Sequence, residues 1–420
     1  MIFSYYNTLM PLKPLESKRI VLGVTGSIAA YKAVDLASKL AQAGAVVETI
    51  LTPSATQFIT PLAFQSVTGQ GAYVDANLWG AQAHVLHVGL GHTADLFIIA
   101  PATAHSMAKL ANGTADNLLM LAALAYGPGS AGRPLLIAPA MDGGMFEHPA
   151  TQANLETLRQ RGAQIIGPEA GHLASGLVAL GRMSEPLTIF GLARYALTRQ
   201  GPLSGRRVVV TAGGTQEPVD PVRVLTNRSS GKQGFALAQA ALDAGAEVTL
   251  IAAPSAVPIP TGLEYIPVEA ASQMEQAVLK ACQNADALLM AAAVADFRPV
   301  NPAAQKIKKS SGIEAIPLEP TTDILAAVAA QRGRTGLPLA VVGFAAETQN
   351  LLANAQAKLR AKRLDMIVAN DVSAPGSGFA VDTNRVTLLY PSGKSEPIPL
   401  ATKAEVAERV IAEVVTLLNK

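Results

Sequence analysis

TAGGTQEPVDPVRVLTNRSSGKQG, residues 211–234, decides how the rest of this chain is read. The valines at 208–210 precede it, and a helix-like run over 235–244 follows it. The stretch carries two glycine-rich turns, one Lys, two Arg and five hydroxyl side chains. The order is therefore strand, long polar loop and helix N-terminus, which gathers backbone N–H groups and cations where an anion can sit. A plain βα connection needs only about 2–6 residues. The length and composition of this loop mark a phosphate or nucleotide site.

With 420 residues the chain has room for about two or three domains. Half of the residues are hydrophobic and 15% are charged, so sizeable cores are available. A net charge of +2, without a basic block, argues against a nucleic-acid partner. The longest apolar stretches, 118–126 and 287–295, fall well short of the roughly 20 residues that span a bilayer. The N-terminus lacks a basic region followed by a continuous apolar segment, so residues 1–17 read as a disordered extension and not a signal peptide. Cys282 has no second cysteine to pair with, and the expected location is cytoplasmic.

Two series of alternating strands and helices follow. In the first, apolar runs at 19–25, 46–52, 95–100, 134–139 and 163–167 alternate with helical patterns at 29–43, 103–112, 115–125 and 149–161. In the second, strand-like runs at 207–211, 247–252, 287–293, 339–344, 366–369 and 385–390 alternate with helical patterns at 233–244, 271–284, 322–331, 350–362 and 402–418. Continuous apolar strands between helices predict parallel sheets covered on both faces. LAQAGAVVETIL near the start of the first series matches ALDAGAEVTLIA in the second. The fold class is α/β, two doubly wound Rossmann-like domains, with the boundary in the Gly/Pro/Ser cluster at 201–205. We place the domains at 1–203 and 204–420. Neither half shows G-x-G-x-x-G with an acidic residue about 20 positions on, which disfavours a dinucleotide-dependent dehydrogenase. All six histidines (His84, His87, His92, His105, His148 and His172) lie in the first half, so the second must work without imidazole.

Four segments of the first half carry its chemistry: GSIAAYK at 26–32, APATAHSMAKLANGTADNLL from 100, APAMDGGMFEHP at 138–149 and GHLASGLVALGRMSEP at 171–186. In this order they resemble the homo-oligomeric flavin-containing cysteine decarboxylases, among them phosphopantothenoylcysteine decarboxylase. The resemblance implies a flavodoxin-like domain whose FMN lies against Gly26, Ser27, Ile28, Thr52, Ser54, Pro101, Ala102, Thr103 and Met141. It implies that FMN oxidises the cysteine moiety, that carbon dioxide leaves to give an ene-thiolate, and that this product is then protonated and reduced. His87 matches the family's base or orienting group. The chain departs from the pattern at Asp142, where Asn is usual, and at Ser175, where a Cys donates the proton. Either a water or another residue then supplies the proton, or the second half-reaction is slow; a protonated Asp142, its pKa raised by burial, is one candidate donor. His84, His92, His148 and His172 read as surface or loop residues, Met141, Met145 and Met183 as packing residues, and His105 stands where it could reach the flavin.

In the second half, the opening stretch together with AAAVADFRP (291–299), KIKK (306–309), TTDIL (321–325), VVGFAAET (341–348), KLRAKRLDMIVAND (358–371) and the region 378–384 resembles phosphopantothenate–cysteine ligase. The resemblance implies that CTP with Mg²⁺ activates the 4′-phosphopantothenate carboxylate as an acyl-cytidylate, which the amine of cysteine then attacks. It assigns charge stabilisation to Lys306 and handling of the acyl-cytidylate to Asn227, with Arg223 as its partner for carboxylate or phosphate. The anion cradle falls to Gly213, Gly214, Thr215, Ser229, Ser230 and Gly231. Nucleotide contacts fall to Asp296, Thr322, Asp323, Ile324, Leu325, Phe344, Lys358 and Lys362. No ligand set for the metal is marked, and Cys282 reads as packed. Together the halves resemble the bifunctional enzymes of coenzyme A biosynthesis. The implied partners are small molecules and further copies of the chain, as a homododecamer. Two rival readings stand beside this one: a ligase whose flavin domain no longer decarboxylates, and a non-enzymatic flavin-binding regulator.

Overall fold

The computed structural model describes residues 13, 15–79, 85–127, 133–308, 315–347, 350–371, 378 and 381–419, and these form two compact units that meet in sequence at 197/198. Of the expected disordered extension, 1–12 and 14 lie outside the described residues. The rest is ordered, because the apolar side chain of Leu15 is fully buried in the first core.

The first unit runs β1 (Arg19–Val24), α1 (Ala30–Gln42), β2 (Val46–Leu51), α2 (Pro61–Thr68), β3 (Ala72–Tyr73), α3 (Leu86–Thr93), β4 (Leu96–Ala102), α4 (Ala104–Asn112), α5 (Leu118–Tyr126), β5 (Leu135–Pro139), α6 (Gly143–Glu147), α7 (Pro149–Gln160), β6 (Ala163–Ile165), a ribbon β7 (Glu169–His172) and β8 (Val178–Arg182), and α8 (Pro186–Thr198). Its sheet has the order β3-β2-β1-β4-β5-β6, with every pair parallel. Successive residues of β1 and β4 fall into different cores. Leu22, Val24, Leu96 and Ile98 pack on one face; Val21, Phe97 and Ile99 pack on the other. Burial on both faces explains why these strands read as unbroken apolar runs.

The second unit begins with β9 (Arg207–Ala212), a hairpin of β10 (Gln216–Pro218) and β11 (Val224–Thr226), α9 (Lys232–Asp243), β12 (Glu247–Ala252), β13 (Glu264–Pro267), α10 (Ala271–Ala281) and β14 (Ala287–Met290). A second hairpin of β15 (Phe297–Pro299) and β16 (Leu318–Pro320) follows, then α11 (Ile324–Thr335), β17 (Ala340–Glu347), α12 (Leu351–Ala361), β18 (Met366–Asp371), β19 (Thr383–Leu389), β20 (Ser395–Thr402) and α13 (Lys403–Leu418). The sheet order is β13-β12-β9-β14-β17-β18-β19-β20. Its first six strands repeat the order of the first unit. The last two strands pair antiparallel, so the sheet is mixed and not parallel throughout. A short turn joins β19 to β20, a connection that only antiparallel neighbours permit. In both sheets the first and fourth strands are neighbours whose crossovers leave in opposite directions, the switch point where doubly wound sheets open a crevice at their carboxyl ends.

Candidate functional site

A cleft lies at each switch point. The first, with a volume of about 990 Å³, takes Gly26, Ser27 and Ile28 from the turn after β1, and Thr52 and Ser54 from the turn after β2. Thr103 after β4, Met141 and Asp142 after β5, and Ser175 from the ribbon turn also line it. Thr25 ties the strand ends together: its hydroxyl donates to Pro101 O at 2.8 Å and accepts from Thr103 N–H at 3.0 Å. Gly26 permits a close approach, since a Cβ there would stand 2.4 Å from Ser54 Cβ and 3.1 Å from Ser54 backbone carbon. Pro101 and Ala102 do not line the cleft; they are buried within β4 behind its wall.

Asp142 Oδ1 accepts from Gly144 N–H at 3.0 Å, and Oδ2 accepts from the Ser175 hydroxyl at 2.6 Å. The Ser175 hydroxyl first, and the Gly144 N–H second, hold this carboxyl below its usual range, against a smaller effect of desolvation. That overturns the expectation of a protonated Asp142: both groups stabilise the carboxylate, so Asp142 is an acceptor and not an acid. His87 stands in α3, half-buried and outside the cleft lining, with its Nδ1 buried and lacking a hydrogen-bond partner. His84 lies outside the described residues. His105 and His172 do line the cleft. So does Lys32, which sequence reasoning passed over; it is buried and donates to Glu185 at 2.9 Å. A lysine on the otherwise apolar face of α1, beside Ala33 and Leu36, was the available signal.

The second cleft, with a volume of about 580 Å³, gathers Asn227, Ser229, Ser230, Gly231, Asp296, Thr322, Asp323, Ile324, Leu325, Phe344, Lys358 and Lys362. Gly231 adopts φ +78° and leads into α9, presenting that helix's first amides to the cleft. Lys358 Nζ donates to Phe344 O at 3.3 Å, and Lys362 pairs with Asp323, whose other oxygen caps α11 through Ala326 N–H at 3.0 Å. Asp323 lies below the usual carboxylate range: desolvation acts to raise it, and the bonds to Lys362 and Ala326 outweigh that. The amide of Asn227 donates to Ala293 O at 3.3 Å and Val294 O at 3.1 Å, which fixes the chain leaving β14.

Five expected residues stand outside this lining. Gly213 turns the chain out of β9 at φ +82°, where a Cβ would meet Ala253 O at 2.7 Å. Gly214 bridges to Ala293, and the buried Thr215 hydroxyl accepts from Ala295 N–H at 2.9 Å. Arg223 pairs with Asp220 at 3.0 Å and donates to Ile307 O; Lys306 is exposed beside it. Lys309 and Thr348 of the quoted motifs lie outside the described residues.

Sequence reasoning gave no role to the polar end of the cleft formed by Lys232, Gln233, Asn370, Asn384 and Lys403. There Asn384 donates to Gln233 Oε1 at 2.9 Å, Lys232 pairs with Asp382 at 2.6 Å, and the buried Lys403 donates to Gly378 O at 3.1 Å and to Val381 O. Burial, then the neighbouring Lys232, push the Lys403 ammonium below its usual range, with Asp382 acting the other way. Among the described residues, no group of three or more His, Cys, Asp or Glu side chains is placed to hold a metal ion, and no helix is long and apolar enough to cross a membrane.

Two doubly wound units, one with a hydroxyl-lined cleft and one with a cationic cleft beneath a helix N-terminus, define a two-domain α/β protein. Residues 10–193 match the family model described as Flavoprotein, and residues 203–418 match that of the DNA/pantothenate metabolism flavoprotein C-terminal domain. The chain is 43% identical over 406 residues to the coenzyme A biosynthesis bifunctional protein of Bacillus subtilis (strain 168), covering 96% of this chain and 98% of that one. It is 43% identical over 413 residues to the protein of the same name from Mycobacterium tuberculosis (strain ATCC 25618 / H37Rv), covering 96% and 97%. A crystal structure of the C-terminal domain of such a bifunctional protein aligns at 38% identity with a TM-score of 0.45, over 52% of this chain and 99% of that one. The chain belongs to the family of coenzyme A biosynthesis bifunctional proteins, in which a flavoprotein decarboxylase domain precedes a ligase domain.

Proposed function

We propose that the second half joins 4′-phosphopantothenate to cysteine using CTP, and that the first half decarboxylates the product with FMN bound. The observation that carries the ligase reading is the second cleft, with a hydroxyl and N–H cradle at 229–231 and the lysines of α12 at 358 and 362 lining one cavity. The carboxylate oxygen attacks the α-phosphorus of CTP, an acyl–phosphate bond forms, and pyrophosphate leaves. The cysteine amine then attacks the acyl carbon; the amide forms as CMP departs and the nitrogen loses a proton. The cradle and lysines suit the charge on the phosphates, and Mg²⁺ enters as the triphosphate's counter-ion. Calorimetry with Mg²⁺ and each common nucleoside triphosphate tests this reading. CTP is expected to bind, and no association with any of them rejects it.

The donor set of the first cleft fits FMN. Ser27, Ser54 and Thr103 offer hydroxyls, and the Gly26 turn lets ligand and backbone approach closely. When bound, the flavin supplies a reversible two-electron acceptor that lets the substrate carboxylate leave as carbon dioxide. Around it, Thr103 and Ser54 orient the ligand, while Ser175 and Asp142 face the substrate. The position of His87 outside the cleft supports a homo-oligomer in which a second copy brings it there, and the expected homododecamer is that assembly. A second reading, an active ligase with an impaired decarboxylase domain, is favoured by the Ser175–Asp142 bond, which offers an acceptor where an acid is needed. Release of carbon dioxide from phosphopantothenoylcysteine separates the two. A cytoplasmic location fits a pathway of soluble small molecules.

A further inference from the structure

Asp220 is buried to 2% exposure, yet it is a carboxylate in a surface hairpin turn. A carboxylate is costly to bury unless its oxygens are fully bonded. Here Oδ1 accepts from Val222 N–H at 2.8 Å and Arg223 N–H at 2.9 Å, which closes the turn between β10 and β11. That alone would explain an aspartate at this turn. Oδ2 does something else: it accepts from Ile307 N–H at 3.1 Å, 87 residues further along the chain, and pairs with Arg223 Nη2 at 3.0 Å. Arg223 in turn donates to Ile307 O, and Ala303 N–H donates to Val219 O at 3.0 Å. The chain is thus gripped on both sides of Lys306, at Ala303 and at Ile307, by one turn. That turn continues through β11 directly into Asn227 at the edge of the second cleft.

We infer that Asp220 is a positioning residue for the ligase: through Arg223 and the Ile307 amide it holds Lys306 in register with Asn227. The inference rests on the ligase reading above. It recasts Arg223, whose guanidinium is spent on Asp220 and Ile307 and not on a substrate. Burial acts to raise the Asp220 carboxyl, but the N–H groups of Val222, Ile307 and Arg223, with the Arg223 charge, outweigh it and keep the group ionised and holding.

The test is a double-mutant cycle in the full-length protein, with Asp220→Asn, Lys306→Ala and both together. CTP-dependent ligation and CTP affinity are measured for each. A misplacement of about 1 Å costs on the order of 100-fold, so Asp220→Asn is expected to lower kcat by roughly that factor with CTP affinity within about twofold. In the Lys306→Ala background the same change is expected to cost almost nothing, since the group it positions is gone. An equal loss in both backgrounds, or no loss in the wild type, overturns the inference. Hydrogen exchange at 303–308 supplies an arm that does not depend on turnover. In Asp220→Ala the Ile307 amide is expected to exchange faster while the β9 and β14 amides stay protected, and unchanged exchange there also overturns it. A wild-type protein without ligase turnover would reject the ligase reading and leave the exchange arm to decide the tether.

Discussion

The hydroxyl of Ser175 donates to the carboxylate of Asp142 at 2.6 Å, and that carboxylate lies below its usual range. Neither partner is then a good acid. A thiol near pKa 8.5 is far more acidic than a serine hydroxyl, and general acid catalysis is worth on the order of 100-fold or more. Ser175→Cys is therefore expected to raise decarboxylation by about 100-fold, the low end of that range, read as carbon dioxide release from phosphopantothenoylcysteine. Asp142→Asn removes a negative charge facing an acidic substrate. A like charge at 4 Å is worth ~1 kcal/mol in water, so KM is expected to fall about fivefold. Unchanged KM would show that Asp142 does not face the substrate carboxylate.

Gly26→Ala places a Cβ 2.4 Å from Ser54 Cβ. Overpacking of this kind costs about 1–3 kcal/mol, and here it falls on the turn that approaches the flavin. The variant is expected to purify with a much weaker flavin absorption band while its CTP affinity, set in the other unit, stays at the wild-type value. A full complement of flavin would rule out this turn as the contact.

Lys362 pairs with Asp323 in the second cleft. A hydrogen bond to a charged group contributes about 1.5–3 kcal/mol, so Lys362→Ala is expected to weaken CTP binding by about tenfold or more. Calorimetry reads the change. An affinity within twofold of wild type would place the nucleotide elsewhere in the cleft.

Asp220 contributes to the acid sensitivity of the second unit, beside Asp323 and Asp382. Its folded-state pKa is depressed, so its contribution to stability is complete above the unfolded value of about 3.9 and is lost as pH falls through the folded value. The difference in thermal midpoint between wild type and Asp220→Asn is expected to be constant from neutral pH down to about pH 5 and to shrink below about pH 4. A difference that grows on acidification would reverse the sign of this argument.

Cys282 is fully buried, and desolvation pushes its thiol up to about 12. The native protein is expected to resist maleimide at pH 8 and to react on denaturation, because the thiolate is the nucleophile. Rapid labelling of the native protein would contradict its packing.

What was legible in the sequence follows from burial. β1, β4, β9 and β14 sit between two helical layers, so past the exposed Arg19 and Arg207 that open β1 and β9 their residues are buried and almost all apolar, and the runs stand out. The two hairpins of the second unit left no such trace: Val224, Leu225 and Thr226 are all exposed, and three-residue strands are too short to show alternation. The antiparallel edge was missed although the Pro-Ser-Gly-Lys turn at 391–394, with Gly393 at φ +85°, marks the β19–β20 hairpin. At the sites, residues carried by one contiguous motif were found, as with Ser229 to Gly231. Partners that only the fold unites were not. Lys403 reaches the second cleft from the last helix, and Asp220 meets Ile307 across another hairpin. Ser175 and Asp142 were both named, but only geometry gives the direction of the proton between them.

Whether the second cleft turns a carboxylate into an acyl-nucleotide is tested most directly by rapid mixing of the protein with CTP, Mg²⁺ and 4′-phosphopantothenate, with cysteine left out. A burst of pyrophosphate stoichiometric with the sites is expected, because activation precedes the amine's attack. Pyrophosphate that appears only once cysteine is added, or not at all while CTP is bound, would contradict the account.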